Sequence, residues 1–232
     1  MELDPCHVAH KTSLAIVLPI YRNEASIPEL VTRLERACIP LEIELQLLFI
    51  DDASPDNSHE IIQNLKSHHP TIRIIRHDHN RGQQEAIRTG LKNSNSDYVA
   101  VMDADLQDPP EIIPNLYEKI IAQQINAVFA VRSNPYQSAG RMNTSRVFKW
   151  LVRRMVNLPK GAGCFVLMDC AMVRSVLGFE TKRFYLPGLI CKARLAISTL
   201  PFEREQRTHG TSSYTSAMRL KTALSNIKCL LE

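Results

Sequence analysis

The chain has 232 residues, of which 44% are hydrophobic, a formal net charge of +4 and a pI near 8.8. This length fits one α/β domain with a short appended arm, and the apolar content allows a sizeable core. Its scattered lysines and arginines argue against a nucleic-acid-binding protein, and its six cysteines lack zinc-site spacing, which indicates reduced thiols in a cytoplasmic protein.

The first part of the chain alternates apolar runs with helical patterns after a polar N-terminal tail, residues 1–12. The run 14–18 ends at Pro19 and is continuously apolar, as in a strand that is buried on both faces of a parallel sheet. From Ser26, apolar residues recur at helical spacing, and Glu29 three residues later predicts a capping-box helix. Next we predict a strand over 45–50, a helix over 57–67, a strand over 72–76, a helix over 83–92 and a strand over 98–102.

This repeated alternation predicts βαβ units and therefore a mostly parallel sheet flanked by helices. Further along we predict a helix over 111–123, a strand over 127–131, a loop over 133–139, a helix over 147–155, a strand from Cys164, helices over 171–177 and 186–192 and a strand over 196–201.

The tail 216–232 has apolar residues at helical spacing among basic ones, which predicts an amphipathic helix. It either lies on a membrane surface or packs on its own domain. No run approaches the roughly 18 apolar residues of a bilayer-spanning helix.

Two acidic clusters each follow a predicted strand directly. One begins with Asp51 and Asp52, and the other runs from Asp103 to Asp108. In open α/β sheets, ligands bind outside the carboxyl ends of the strands, so both clusters point to one site. Asp103 and Asp105 are close in sequence, and such like charges are costly unless a metal neutralises them. Mg²⁺ or Mn²⁺ bridging a diphosphate would suit them, whereas a solvated turn is the alternative interpretation of two such residues alone.

The run Asp103-Ala104-Asp105-Leu106-Gln107-Asp108-Pro109-Pro110 resembles the D-x-D signature of family 2 glycosyltransferases with the GT-A fold. In the branch that makes polyprenyl- or dolichyl-phosphate sugars it often reads D-A-D-L-Q-x-P-P. The resemblance covers roughly residues 12–230 and implies a Rossmann-like GT-A domain over 13–215. It implies metal binding by Asp103, Asp105 and Gln107, a catalytic role for Asp105, and donor contacts from Asp103, Ala104 and Gln107. Asp108 stands where relatives vary and receives no role.

Two earlier segments resemble the nucleoside-binding motifs of the same family. Residues 19–24 resemble P-x-Y-N-E with Arg22 looking inserted, which implies that Pro19, Tyr21 and Glu24 flank the nucleoside. A simple strand-to-helix turn is the alternative. Residues 51–56 resemble D-D-x-S-x-D, which implies that Asp51 and Asp52 bind the base and ribose. Uracil and guanine can both donate to a carboxylate, so UDP- and GDP-sugars remain open as donors.

Arginines and small residues fall at further family positions. Arg132 stands where the family often has an arginine facing the diphosphate. Residues 202–214 resemble the R-x-x-R-x-x-G-x-S-K-Y element that closes over donor and acceptor, which implies a catalytic role for Arg207 and donor binding by Arg204 and Ser212. Ser213 replaces its lysine and removes a cation. The N-x-G-x-x-x-A-x-x-x-G pattern over 80–90 implies a helix whose small residues approach the sheet closely.

The segment Gly163-Cys164-Phe165-Val166-Leu167 departs from the G-D-F-R-L of the branch, although the aminoarabinose-transferring subgroup has Gly-Cys there. A lipid-phosphate acceptor is already ionised near neutral pH and needs no general base, whereas an alcohol acceptor would need one, for which Asp169 or Asp105 remains. We therefore predict a metal-dependent inverting glycosyltransferase that moves a sugar from a nucleotide sugar to polyprenyl phosphate.

Other functions remain open or are disfavoured. A degenerate nucleotide-sugar-binding module without activity is favoured by Cys164 and Ser213, and a transferase to a soluble glycan is a further alternative. A nucleotidyltransferase or a dehydrogenase is disfavoured, because residues 19–24 contain no glycine and G-x-G-x-x-G is missing. Relatives in this branch usually continue into two transmembrane helices. We therefore expect either a truncated form or a cytoplasmic protein peripheral on the membrane, in cell-envelope glycan synthesis.

Overall fold

A computed structural model describes residues 11–133, 156–204 and 228–230, and the strands within these ranges form one seven-stranded sheet. The strands are β1 (Ser13–Ile20), β2 (Glu44–Asp51), β3 (Ile72–Arg76), β4 (Tyr98–Val101), β5 (Ala127–Arg132), β6 (Ala162–Asp169) and β7 (Ile197–Phe202). Their order is β3-β2-β1-β4-β6-β5-β7, and only β6 runs antiparallel to its neighbours. The predicted mostly parallel sheet is confirmed.

Helices cover both faces of the sheet. They are α1 (Ile27–Cys38), α2 (Ser58–Lys66), α3 (Gln83–Lys92), α4 (Ile113–Gln123), α5 (Cys170–Leu177) and α6 (Leu186–Lys192). Leu30 of α1 and Leu116 of α4 belong to the apolar cluster on one face, and Ile87 of α3 and Leu189 of α6 belong to the cluster on the other. The predicted helix over 111–123 is divided into a short 3₁₀ turn, Pro110–Ile112, and α4. The sheet is thus buried on both faces, and the carboxyl ends of its parallel strands lie at one edge.

The prediction that the first strand ends at Pro19 is wrong, because β1 continues through Pro19 to Ile20. The carbonyl of Val17 accepts from Met102 on the β4 side, and the carbonyl of Ile20 accepts from Asp52 on the β2 side. Pro19 therefore faces the β4 side, since alternate residues of a strand face the same neighbour. The pairing of β1 with β4 has already stopped at Val17 and Val101, so the missing N–H of Pro19 removes no ladder hydrogen bond.

The predicted capping box at the start of α1 is also wrong. Ser26 occupies the N-cap position, but its side chain makes no capping hydrogen bond. Its Oγ instead donates to the carbonyl of Ala104 at 2.6 Å. Glu29 lies 3.6 Å from Arg33 on the same helix rather than reaching back to the cap. The Ser26 hydroxyl thus ties the loop before α1 to the acidic loop after β4.

Several predicted elements lie wholly or mostly outside the described residues: the N-terminal tail, the loop over 133–139, the helix over 147–155 and most of the tail 216–232. Within the tail, residues 228–230 are helical, and Cys229 and Leu230 are buried. Leu230 packs against Gly188 of α6, so this part of the tail packs on its own domain. The described cysteines are free thiols. Nowhere in the described ranges does a helix combine the length and apolar character needed to cross a membrane.

The close packing of α3 on the sheet gives a test of the fold. A Cβ added at Gly90 would overlap the side chain of Val17, which is fully buried in β1. We expect Gly90→Ala to lower the free energy of unfolding by about 1–3 kcal/mol, as is usual for overpacking a core. Urea denaturation measures it. Gly163→Ala is the control, because nothing lies within 4 Å of its added Cβ, and equal stability of both variants would contradict this packing.

Candidate active site

The loops after β1, β2 and β4 meet at one edge of the sheet, because these strands are parallel and adjacent. Each loop contains a residue other than glycine with positive φ: Arg22 at 60°, Ala53 at 55° and Leu106 at 57°. Such left-handed conformations cost roughly 1–2 kcal/mol for an L-residue and cluster at functional sites. Arg22, which looks inserted relative to the family motif, is the residue with positive φ in the loop after β1.

The loops after β1 and β2 are joined by hydrogen bonds. The N–H of Asn23 donates to Ser58 Oγ at 3.1 Å, and the N–H of Glu24 donates to Asp56 Oδ2 at 3.2 Å. In return, Glu24 Oε2 accepts from the N–H of Asn57 at 3.0 Å. Glu24 therefore holds the two loops together, and its predicted contact with a nucleoside, like that of Pro19, stays a prediction.

Tyr21 is the exposed aromatic residue of this edge. It is 37% exposed, and the guanidinium of Arg22 lies 5.5 Å from its ring centre. Its backbone N–H donates to Asn23 Oδ1 at 2.9 Å, which fixes the turn that presents the ring. An accessible ring at the end of β1 is compatible with the predicted nucleoside contact of Tyr21, which stays a prediction.

Asp51 is the last residue of β2 and is fully buried. Its Oδ1 accepts from the N–H of Ser54 at 2.8 Å. Its Oδ2 lies 3.2 Å from His59 Nδ1 and 3.3 Å from Arg76 Nε, but neither contact is aligned as a hydrogen bond. The guanidinium of Arg76 is attracted to this carboxylate by charge, because alignment matters less for attraction between ions than for a hydrogen bond. Nucleoside binding by Asp51 stays a prediction.

Asp52, also buried, organises the turn before α3. Its two oxygens accept from the N–H groups of Arg81 and Gly82, each at 2.8 Å. His77 Nδ1 lies 2.8 Å from the same carboxylate, and His77 Nε2 lies 2.9 Å from Thr89 Oγ1. Asp52 therefore positions the N-terminus of α3, and its predicted contact with the donor stays a prediction.

Three carboxylates, those of Asp103, Asp105 and Asp108, lie in the six residues that follow β4. Gln83 Nε2, at the start of α3, donates to Asp103 Oδ1 at 2.5 Å, and the N–H of Gln107 donates to Asp105 Oδ1 at 3.2 Å. Burial, and to a smaller extent the charges of Asp108 and Asp105, raise the pKa of Asp103 to about 7. The loop thus concentrates negative charge that a cation would stabilise.

The residues fit a divalent cation bound by the protein together with a ligand. Among the described residues, no three histidine, cysteine or acidic side chains converge as a metal site. Metal binding by Asp103 and Asp105 stays a prediction, in which diphosphate or water oxygens would complete the shell. Hard oxygen ligands of this kind suit Mg²⁺ and Mn²⁺. The side chain of Gln107 as a ligand stays a prediction.

Asp108 was given no role in the sequence analysis, yet it holds two of the predicted phosphate-binding arginines. It is 2% exposed, and its Oδ1 accepts from Arg132 Nη2 at 3.4 Å. Arg204 Nε lies 3.3 Å from the same oxygen without hydrogen-bond alignment. A buried carboxylate needs such partners, but its burial cannot be read from a turn-like sequence. Arg207 and Ser212 lie outside the described residues.

The antiparallel direction of β6 brings Cys164 to this edge. Gln84 Nε2 donates to Cys164 Sγ at 3.1 Å, and Gln84 Oε1 accepts from the N–H of Leu186 at 2.9 Å, so one side chain joins α3, β6 and α6. Burial, with a smaller effect of the Asp103 charge, raises the pKa of Cys164 to about 12. The thiol is therefore protonated near neutral pH and cannot act there as a base.

Asp169, considered above as a base, lies at the opposite end of β6 and is not part of this site. It pairs with Tyr98, the first residue of β4, whereas Asp103 follows the last. Its Oδ1 accepts from the N–H of Met172 at 2.7 Å and so caps α5. Its Oδ2 accepts from Asn126 at 2.8 Å. The capping residue was thus mistaken for a possible reactive group.

Comparison with known proteins supports the predicted family of this chain. Residues 15–178 match the family described as "Glycosyl transferase family 2". The chain is 34% identical over 218 residues to an undecaprenyl-phosphate 4-deoxy-4-formamido-L-arabinose transferase from Pseudomonas aeruginosa, and 33% identical over 211 residues to one from Pseudomonas syringae. The alignments cover 89% of this chain and 61% and 62% of those relatives. The chain thus matches less than two thirds of their length.

Solved structures with the same fold include two glycosyltransferases. One is a mannosyltransferase from Pyrobaculum calidifontis in complex with GDP-mannose and Mn²⁺, with a TM-score of 0.66, 17% identity, and coverage of 95% of this chain and 63% of that one. The other is glucosyl-3-phosphoglycerate synthase from Mycobacterium tuberculosis with Mn²⁺, UDP and phosphoglyceric acid, with a TM-score of 0.66, 17% identity, and coverage of 96% and 78%. The predicted GT-A fold is confirmed.

The raised pKa of Asp103 gives a test by stability. Because its pKa rises from 3.8 to about 7, the folded protein holds a proton that the unfolded chain releases, and stability falls as pH increases through this window. We expect Asp103→Asn to raise the free energy of unfolding by about 1–3 kcal/mol at pH 8 in EDTA, with a smaller gain at pH 5. Denaturant titration at both pH values measures this.

Asp78→Asn is the control for this measurement, because that side chain is 92% exposed and lies 3.7 Å from Arg81. It should change stability by less than about 0.5 kcal/mol at both pH values. A gain for Asp103→Asn that is larger at pH 5 than at pH 8 would contradict the assigned direction of the pKa shift.

Proposed function

This chain belongs to glycosyl transferase family 2, and we propose that it transfers a sugar from a nucleotide-sugar donor to a polyprenyl phosphate. The observation that carries the proposal is the carboxyl edge of the sheet, where Asp103, Asp105 and Asp108 follow β4 and Asp108 contacts Arg132 and Arg204. Carboxylates for a cation and guanidinium groups for phosphate oxygens are the two parts that a nucleoside diphosphate requires.

On the donor side, Asp103 and Asp105 would hold a divalent cation, which would supply positive charge to the departing diphosphate. Mn²⁺ occurs with both structural neighbours described above, and Mg²⁺ has the same oxygen preference. Arg132 and Arg204 provide N–H donors in a fixed planar fork, which suits phosphate oxygens. Arg132 is the last residue of β5, and Arg204 lies two residues beyond the end of β7, so the sheet brings both backbones to this edge before the donor binds.

On the acceptor side, the site supports an oxygen nucleophile that is already ionised. Cys164 stands where the family resemblance expects an acid, and its raised pKa keeps it protonated. Asp169 caps a helix at the opposite edge, and Asp105 is assigned to the cation. A phosphate acceptor has a low enough pKa to attack without a base. The relatives named as undecaprenyl-phosphate transferases, at 33–34% identity, support the same acceptor class.

The geometry of the proposed reaction is a direct displacement. The acceptor phosphate oxygen attacks the anomeric carbon in line as the bond to the nucleoside diphosphate breaks, which inverts the configuration at that carbon. Arg132 and Arg204 stabilise the negative charge that the leaving group gains. The acceptor is a membrane lipid, so the proposed reaction brings this edge of the domain to the membrane surface.

A matched pair of acceptors tests the proposal. The purified chain is incubated with Mn²⁺, a panel of radiolabelled UDP- and GDP-sugars that includes UDP-linked 4-deoxy-4-formamido-L-arabinose, and either undecaprenyl phosphate or undecaprenol. We expect transfer to the phosphate and at least about hundredfold less to the alcohol, because the alcohol must lose a proton as it attacks, whereas the phosphate oxygen is already ionised. Transfer only to a soluble glycan, or equal transfer to undecaprenol, would contradict the acceptor assignment.

The role of the acidic loop is tested in the same assay. Asp105→Asn should reduce transfer by about a hundredfold or more, because one cation ligand loses its charge. Asp78→Asn removes an exposed carboxylate near the same edge and should leave the rate within about twofold. Full activity of Asp105→Asn with EDTA present would show that the reaction does not depend on the proposed cation.

A further inference from the structure

Asp108 joins two arginines from different strands, and we propose that it is a positioning residue that holds Arg132 and Arg204 for the donor diphosphate without binding the cation. This inference rests on the proposed donor site and adds a role for a residue at a variable position of the motif. It concerns how the arginines are presented rather than which groups touch the donor.

The contacts leave most of each guanidinium group available. Asp108 Oδ1 is 3.4 Å from Arg132 Nη2 and 3.3 Å from Arg204 Nε. Each arginine therefore approaches the carboxylate through one nitrogen, whereas a guanidinium carries five N–H donors in a rigid fork. Holding one nitrogen restricts the position of the guanidinium group, while its other N–H groups can reach phosphate oxygens. A bidentate ion pair would have used the same donors that a diphosphate needs.

The topology explains why a separate anchor is required. Arg132 ends β5 and is paired with Phe202, so Arg204 lies two residues beyond the neighbouring strand end. Asp108 comes from the loop after β4, and β6 lies between β4 and β5. The three residues thus belong to three separate segments. The side chains of Arg132 and Arg204 are 41% and 21% exposed, so packing alone leaves them freedom that an ion pair reduces.

Charge and burial separate Asp108 from the cation-binding pair. Two guanidinium groups close together repel each other, and the buried carboxylate between them removes that repulsion. Asp108 is 2% exposed, whereas Asp103 and Asp105 are partly exposed. A divalent cation at Asp108 Oδ1 would lie beside two positive groups and would be disfavoured. The acidic loop therefore divides its carboxylates between a cation and the arginines.

The test compares Asp108→Asn with Glu111→Gln in the full chain. Glu111 forms an exposed ion pair with Arg33, at 2.7 and 2.9 Å, outside the site. Glu111→Gln is therefore the control, because it weakens an acid–arginine contact that does not involve Asp108. We expect Asp108→Asn to keep its Mn²⁺ affinity within about twofold, to weaken binding of Mn²⁺·UDP or Mn²⁺·GDP about tenfold, and to lower turnover to a similar or greater extent. Glu111→Gln should leave all three within about twofold.

A double-mutant cycle shows whether Asp108 acts through the arginines. In an Arg132→Ala/Arg204→Ala background, Asp108→Asn should cause little further loss of nucleotide binding, because the groups that it positions are gone. A purely structural role would lower thermal stability and activity in both backgrounds. Asp108→Glu, which keeps the charge one methylene further out, should bind Mn²⁺ normally and recover part of the lost turnover. Asp108→Ser, which also removes the carboxylate, takes the place of Asp108→Asn if that variant does not fold.

Three results decide the inference. Loss of Mn²⁺ binding in Asp108→Asn would identify a cation ligand and overturn it. An equal loss of nucleotide binding with and without the two arginines would overturn it as well. Equal nucleotide binding by the wild-type chain and by Asp108→Asn would overturn it too. If the wild-type chain binds neither Mn²⁺·UDP nor Mn²⁺·GDP, it is the proposed donor site itself that fails.

Discussion

The mutual repulsion of three carboxylates in six residues is the constraint on which the rest of the site depends. Asp103, Asp105 and Asp108 follow a buried strand, and burial together with the neighbouring charges raises the pKa of Asp103 to about 7. Such a loop is stable only if cations balance it. Arg132 and Arg204 supply two of these charges at Asp108, and a divalent ion suits the other two carboxylates. Folding therefore concentrates carboxylate charge at this edge, which suits the proposed binding of a metal-bound diphosphate.

A chain of hydrogen bonds passes from the second strand to this acidic loop. Asp52 accepts from the turn that begins α3, and the first two residues of that helix, Gln83 and Gln84, reach Asp103 and Cys164. Ser26 fixes the acidic loop from the opposite side through Ala104. Polar groups that look like isolated turn residues in the sequence thus support one another. Positive φ angles persist in the loops after β1, β2 and β4 because these contacts hold the backbone there.

The antiparallel direction of β6 decides which of its residues lie near the acidic loop. Its first half lies beside the acidic loop, whereas its last residue, Asp169, caps α5 at the other edge. Sequence order alone does not distinguish these positions, because a strand carries no mark of its direction within the sheet. The Cys164 thiol next to the acidic loop is protonated near neutral pH, so it does not serve there as a base. A phosphate acceptor matches this chemistry, and the relatives that transfer sugars to undecaprenyl phosphate share the same family.

The sequence by itself determined the alternation of strands and helices, the parallel sheet and the edge at which acidic residues collect, because hydrophobic periodicity and turn chemistry are local properties. Helices α3 and α6 begin and end where the pattern predicts. Only the tertiary structure decided the partners of each polar group. Asp108 contacts Arg132 at the end of β5 and Arg204 beyond the end of β7. The Ser26 hydroxyl donates to Ala104 rather than capping its own helix, and Asp52 accepts from the turn before α3. These contacts join residues far apart in the chain, and their energies depend on desolvation that a linear pattern does not contain.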